Sequence, residues 1–512
     1  MSFRQKMSWL HTWAGLVVGW LLFAIFLTGT ACYFRPEIST WMHRLAPIDL
    51  PDQATQARLA ASWLQAEAPD AVSWLIDLSD GREPVLKVAA GRPHGYVVQR
   101  LDPIAGTPEA GPETAGGDFL FYLHFTLIMS DWGRILGRYL VGICAMIMGV
   151  AIVTGVIVHK RIFKDAFTFR PRAAAQRAWL DGHNLLGVMS LPFHLMITWS
   201  GLITLMLLYM PWAVDAGYPG GRAGYAADLD GIAAVGAPAG PVQPAALTDL
   251  GQVVAAASAA WSADGRDIRV GRIEVDRPGT TAARLTLTPQ DADQLARLPE
   301  ALVFDGTTGR LITDGRGQGG AVAAVHHTLY GLHLARFAGL PLRWLFFAAG
   351  LAGTAMIATG LVLWSVKRRP KTGAAGRGRG HRLVDALNIG CLVGLPAAIA
   401  GQFLANRLLP ADIVGRAVLE PAAFYLVWLA FLLAGAWRSD GAGWMRALVT
   451  AALLWAAVPV ADVLVTGRDP LGALAAGDRV FWGLQLACLI MALALGRLAM
   501  ILRTRSRRGG AA

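Results

Sequence analysis

The chain has 512 residues, 54% of them hydrophobic and 16% charged, with a net charge of +11 and a mean hydropathy of +0.45. A soluble domain carries about 25% charged residues, so the deficit excludes an ordinary globular protein. The positive charge lies in short runs beside apolar stretches, which excludes a nucleic-acid-binding face.

A membrane-spanning helix needs about 20 mostly apolar residues. In chain order, eight stretches qualify: 13–34, 138–159, 185–210, 343–366, 383–405, 421–437, 446–466 and 480–502. The sixth is short, and Pro396 interrupts the fifth. Arg4 and Lys6 precede the first span. Lys160, Arg161, Lys164, Arg170, Arg172 and Arg177 follow the second. Lys367, Arg368, Arg369, Lys371, Arg377, Arg379 and Arg382 follow the fourth, and Arg503, Arg505, Arg507 and Arg508 end the chain. Alternating spans put all these charges on one side, the cytoplasmic side of a bacterial inner membrane, with both termini there. The first apolar run exceeds a signal-peptide core and no A-x-A site follows it, so it is expected to stay as a span.

The expected layout is a first span in 1–35, an outer segment 36–137, a span 138–160 and a cytoplasmic loop 161–183. A span 184–212, an outer segment 213–342, a span 343–366 and a basic loop 367–382 follow, then a four-span module 383–503 and a tail 504–512. Both outer segments hold strand-like runs, at 72–78, 84–90 and 95–102 in the first and 267–275, 282–288 and 301–305 in the second. Helix-like stretches near 54–66 and 247–261 precede them, which predicts a small α+β module on each segment. The Gly-, Ala- and Pro-rich 213–245 stretch reads as a loose linker. The fold class is therefore an all-α polytopic bundle of about eight spans with two periplasmic α+β modules.

The first 366 residues are duplicated, 7–160 against 179–366. HTWAG at 11–15 is echoed by HNLLG at 183–187, and Thr28-Gly29 by Ser200-Gly201, both at an offset of 172. LDPIAGT at 101–107 resembles VFDGTTG at 303–309, and HFTL at 124–127 matches HHTL at 326–329. The second span ends in VTGVIVHK and the fourth in ATGLVLWS. Two units in the same orientation imply a pseudo-two-fold axis along the membrane normal. Such an axis pairs His11 with His183 near the cytoplasmic surface and His124 with His326 near the outer one. Two opposed imidazoles are what a six-coordinate haem iron needs.

Eight of eleven histidines, His11, His124, His159, His183, His194, His326, His327 and His333, lie in or beside the first four spans. An ionisable residue at membrane depth is a functional candidate by default. On a straight helix His183 and His194 share one face, about 16 Å apart along the axis. The competing structural readings are an interfacial role for His11, His159, His183, His327 and His333, and for His194 a hydrogen bond to a carbonyl freed by Pro192. His43, His94 and His381 are loop residues without an assigned role. The glycines of the TG and SG pairs read as close-packing positions and the tryptophans as interface anchors. Cys32, Cys144, Cys391 and Cys488 form no CxxC, which argues against a disulfide framework, a zinc site and covalent haem attachment.

HTWAGLVVGWLLFAIFLTG, LHFTL followed by GRYLVG and VTG, the D-x-x-x-G element ending each outer module, and HNLLG followed by SG resemble the PepSY-associated transmembrane family over about residues 7–368. The resemblance implies PepSY-like periplasmic modules, two b-type haems and reduction of Fe(III) to Fe(II) in a ferric siderophore. It places the haem ligands on His11 with His183 and on His124 with His326. His159, His327, His194 and His333 are the alternates. The electron donor is open, a quinol or a cytoplasmic reductase, and the absence of a GxGxxG nucleotide fingerprint weighs neither for nor against the reading. The family name also covers regulatory modules, so a non-enzymatic binder of a periplasmic partner and a siderophore permease remain alternatives.

Overall fold

The computed structural model describes residues 1–127, 131–159, 168–170, 174–230, 241–263, 268–290, 295, 301–315, 320–368 and 378–509. Lys160, Arg161, Lys164 and Arg172 of the first basic loop, and Arg369, Lys371 and Arg377 of the second, lie outside the described residues.

Chain order begins with α1 (Phe3–Cys32), α2 (Arg35–Met42), α3 (Gln53–Glu67), β1 (Ser73–Asp77), β2 (Leu86–Arg92), β3 (Gly95–Leu101), α4 (Asp118–Thr126) and α5 (Asp131–Val158). It continues through α6 (Ala175–Met189), α7 (Leu191–Thr204), α8 (Met206–Tyr209), α9 (Pro211–Gly217), α10 (Gly221–Asp230) and α11 (Leu250–Ser262). Strands β4 (Val270–Asp276), β5 (Arg284–Pro289), β6 (Leu302–Asp305) and β7 (Leu311–Asp314) follow. The last part holds α12 (Ala321–Leu334), α13 (Leu340–Lys367), α14 (Arg379–Leu387), a π-helical turn (Asn388–Val393), α15 (Gly394–Leu408), α16 (Arg416–Trp437), α17 (Gly441–Thr466), α18 (Pro470–Ala475) and α19 (Arg479–Gly509). The chain divides into two compact units, one of Met1–Ala46, Pro112–Leu202 and Arg343–Ala512, the other of Pro47–Gly111 and Ile203–Leu342.

The first unit is the membrane bundle. Among the described residues, α1, α5, α13, α14 joined to α15, α16, α17 and α19 give seven helices long and apolar enough to cross a membrane. The expected third span departs from a straight helix, because α6 and α7 meet at a 67° bend. Pro192, the second residue of α7, lacks the N–H that would continue the α6 ladder. His183 and His194 therefore sit on different helices rather than on one face of a single helix. Pro396 is absorbed differently. The wider π turn just ahead of it relieves the clash a proline ring makes with the carbonyl four residues back.

The second unit corrects the expectation of two separate modules. Its strands form one seven-stranded sheet of order β3-β2-β1-β4-β5-β6-β7. The two strand sets join through antiparallel β1 and β4, with Trp74 opposite Val275 and Ile76 opposite Ile273. Side chains alternate along a strand, so Trp74, Ile76, Ile273 and Val275 turn to one face. They pack there with Ala57, Ala60 and Leu64 of α3 and Val254, Ala257 and Trp261 of α11. Each helix opens on an aspartate cap, Asp52 for α3 and Asp249 for α11. Each D-x-x-x-G element forms the same turn. Asp102 takes the amides of Ile104 and Ala105, and Asp305 those of Thr307 and Thr308. Gly106 and Gly309 then close the two turns at φ of +68° and +69°. Part of the expected loose linker is helical, as α9 and α10, and 231–240 lies outside the described residues.

Candidate functional site

At the end of the bundle that holds the start of α1, two histidines occupy matching environments. His11 Nδ1 lies 2.9 Å from the Ala151 carbonyl and 3.3 Å from Thr154 Oγ1. His183 Nδ1 lies 2.9 Å from the Met356 carbonyl and 3.5 Å from Thr359 Oγ1. In each case the accepting carbonyl stands four residues before a glycine, Gly155 on α5 and Gly360 on α13. That glycine's amide already uses one lone pair of the carbonyl in the helix ladder. Its missing Cβ leaves the imidazole room to reach the other, since a Cβ there would stand 3.1 Å from the Cε1 of His11 or His183.

This geometry settles the tautomer. A carbonyl only accepts, so Nδ1 carries the proton in both rings and Nε2 keeps its lone pair for a metal. A backbone carbonyl on the far nitrogen is the usual orienting partner of a ligating histidine. The two ring centroids are 6.3 Å apart at an interplanar angle of 67°. A metal–imidazole bond of about 2 Å puts the centroids of two opposed ligands about 6–6.5 Å apart. The pair has the spacing of an axial pair.

His124 repeats the arrangement at the opposite end. It lies on α4, which packs against α1 and α5, so the segment before the second span does fold onto the bundle. Its Nδ1 is 2.8 Å from the Ile25 carbonyl, four residues before Gly29. A Cβ at Gly29 would stand 2.6 Å from His124 Cε1. Three helices thus present one pattern, Ile25 to Thr28-Gly29, Ala151 to Thr154-Gly155 and Met356 to Thr359-Gly360, each engaged by a histidine Nδ1.

The remaining candidates are placed less uniformly. His326 belongs to the second unit, where its Nδ1 pairs with the Tyr225 hydroxyl at 2.8 Å. Its neighbour His327 donates from Nε2 to the Leu229 carbonyl at 2.9 Å. His333 is in the last turn of α12, and His159 directly follows α5. His194 is buried against Phe26 and Phe193, and its Nε2 meets no hydrogen-bond partner among the described residues. It does not bond a carbonyl freed by Pro192 through that nitrogen.

The family model for the PepSY-associated TM region matches residues 8–367. The chain belongs to the PepSY-associated TM family. It is also similar to an uncharacterised protein of Pseudomonas aeruginosa, 27% identical over 389 residues, which cover 69% of this chain and 81% of the relative. The family match takes in all three histidine–glycine contacts and stops at the end of α13.

Beyond the PepSY-associated TM region lies a polar cluster that the histidine-centred reading passed over. Arg407, Asp462, Arg416 and Glu420 are each at most 1% exposed. Arg407 Nε meets Asp462 at 2.5 Å, and Arg416 Nη1 meets Glu420 at 2.8 Å. Asp462 within an expected span was the available signal.

Proposed function

We propose that the chain is a haem-containing ferric-siderophore reductase of the bacterial inner membrane, carrying electrons to the periplasm and reducing Fe(III) to Fe(II) there. The observation that carries this reading is the His11–His183 pair, with its axial spacing of 6.3 Å and its two Nδ1 atoms engaged by carbonyls. His11 and His183 would hold one b-type haem, and His124 would be a ligand of a second. A haem supplies one-electron transfer at a potential set by its axial ligands and burial. The residues of the chain hold the ligand rings in one tautomer and keep water from them. Siderophore oxygens bind Fe(III) far more firmly than Fe(II), so each electron delivered frees one iron. The donor in this reading is a quinol or a cytoplasmic reductase, and both termini face the cytoplasm.

The matched helix caps and D-x-x-x-G turns support a duplicated, PepSY-like origin for the two halves of the sheet. A second reading, in which the sheet binds a periplasmic partner, draws support from edge strand β3, where Tyr96, Val97 and Val98 are exposed. The deciding experiment is the absorption spectrum of the purified protein. The reductase reading requires a Soret band that weakens by about half in His183→Ala, with loss of ferric-chelate reduction. A colourless protein that still captures a periplasmic partner supports the second reading.

A further inference from the structure

The role of the four-span module after α13 follows from what its buried charges touch. The chain leaves the bundle after α2 and returns at residues 112–117, immediately before the α4 helix that carries His124. Residues 113–115 of the return segment bond to that module, while the Gly117 amide donates to Ser39 Oγ of α2 at 3.0 Å and Asp118 pairs with Arg35 of α2 at 2.6 Å. Glu420 Oε2 accepts from Thr114 Oγ1 at 2.5 Å and from the Ala115 amide at 3.1 Å. Arg416 Nη1 donates to the Glu113 carbonyl at 2.9 Å. Asn406 Nδ2 donates to Thr114 Oγ1 at 3.1 Å and to Glu420 Oε1 at 2.7 Å.

The departing segment is gripped from the same cluster. Arg407 donates to the Trp41 carbonyl at 2.8 Å, and its guanidinium lies 3.6 Å from the centre of the Trp41 ring. Trp41 Nε1 donates to Asp462 at 3.0 Å, and Asn406 Nδ2 reaches the Met42 carbonyl at 3.2 Å. One turn beyond Glu420, Phe424 packs its ring 5.1 Å from that of buried Phe119, the second residue of α4. The start of α4 is thus fixed by directed hydrogen bonds and by a buried aromatic contact. Its far end has no slack, because His124 fits over Gly29 only for want of a Cβ.

Magnitudes decide what such a cluster is for. Replacing a buried ion pair by apolar residues of similar volume is often neutral or stabilising, whereas removing one partner is strongly destabilising. Net stability is therefore a poor reason to bury Arg407–Asp462 and Arg416–Glu420. Directed bonds to the backbone at 41–42 and 113–115 are a better one, since a displacement of about 1 Å is enough to undo a positioned group.

We propose that Arg416, Glu420 and Asn406 of the C-terminal module are positioning residues for His124, holding the root of α4 so that the imidazole stays on the Ile25 carbonyl. The haem reading above enters only the spectral part of the test.

The test uses the full-length protein in detergent. The apolar double variant Arg416→Met/Glu420→Leu and the milder Thr114→Val are compared with the conservative Thr114→Ser, which keeps the hydroxyl that donates to Glu420. Amide hydrogen exchange over 113–126 is expected to rise at least about tenfold in the double variant and less in Thr114→Val, with Thr114→Ser close to the parent. In the haem-loaded protein, the spectrum and midpoint potential of one of two haems are expected to shift in the double variant and to keep the parent values in Thr114→Ser. Unchanged exchange over 113–126 in Thr114→Val and in whichever other variants fold overturns the proposal. Exchange that rises in a parent protein without haem keeps the positioning role and overturns the haem reading alone. Faster exchange throughout the bundle, rather than in 113–126, makes the cluster a general stability element and also overturns the proposal.

Discussion

Replacing Gly29 by alanine places a methyl carbon 2.6 Å from His124 Cε1 and 2.7 Å from its Nδ1. Ordinary carbon contacts begin near 3.5 Å, so the ring must retreat by about 0.9 Å. That retreat takes the 2.8 Å contact with the Ile25 carbonyl to about 3.7 Å, which is no longer a hydrogen bond. Overpacking costs about 1–3 kcal/mol, and stranding a buried donor a similar amount. Losing the orienting partner of a metal ligand lowers affinity about 10–100-fold. Under the proposed reductase reading, haem per polypeptide, measured as the pyridine haemochrome, should therefore fall by about half in Gly29→Ala. Gly155→Ala and Gly360→Ala, where the contact is 3.1 Å, should lose less, and Gly149→Ala, with nothing within 4 Å, should lose none. A Gly29→Ala protein with full haem and an unchanged spectrum would refute the reasoning. So would equal losses across the four variants.

A periplasm-dependent reporter fused after Ala512 should be inactive, and high activity there would mean an odd number of crossings. Trp74→Ala should destabilise the sheet unit by about 3–5 kcal/mol, read as protease cleavage within 73–101 at lower temperature, because Trp74 is 1% exposed. Arg272→Ala should change that midpoint little, since Arg272 and Asp77 form a pair more than 40% exposed on both sides. Burial raises the Asp305 carboxyl, but its hydrogen bonds from Thr307 and Thr308 outweigh this and bring it down to about 2 from 3.8. Its contribution to the turn is thus present above pH ~4 and lost as pH falls through about 2. Acid unfolding of the sheet unit should shift to higher pH in Asp305→Ala, and an unchanged acid profile would show the turn carries no such stability.

Local periodicity marked six of the seven strands and missed β7 (Leu311–Asp314). The alternation at 72–78 and 267–275 marks β1 and β4 to within three residues, because one face of each is buried and the other is not. Their mutual pairing was not legible. Both strands offer an edge of backbone donors and acceptors, and only the three-dimensional approach of the two halves selects which edges meet. The bend between α6 and α7 was half legible. Pro192 signalled a fault in the third span, but composition alone does not distinguish a mild kink from a turn of 67°.

The histidine sites were legible from one side only. The repeat singled out His11, His183 and His124, yet it treated the TG pairs as close-packing positions for helices. The structure gives those glycines a more specific task. In each, a helix carbonyl keeps one lone pair for its own ladder and offers the other to an imidazole, and a Cβ on the glycine would clash with the ring at Gly29 and crowd it at Gly155 and Gly360. The threonine beside the glycine turns its hydroxyl back to the same carbonyl, Thr154 to Ala151 at 3.1 Å and Thr359 to Met356 at 2.8 Å. A side-chain donor satisfied within its own helix does not compete for the ring's free nitrogen. The structural unit is therefore the pair, a histidine on one helix and a glycine four residues past the accepting carbonyl on another, and Ser200-Gly201 on α7 repeats the carbonyl side of it. Ser200 already bonds back to the carbonyl of Ile197, at 3.3 Å, four residues before Gly201. That matches Thr28 and the Ile25 carbonyl, also at 3.3 Å, where His124 docks.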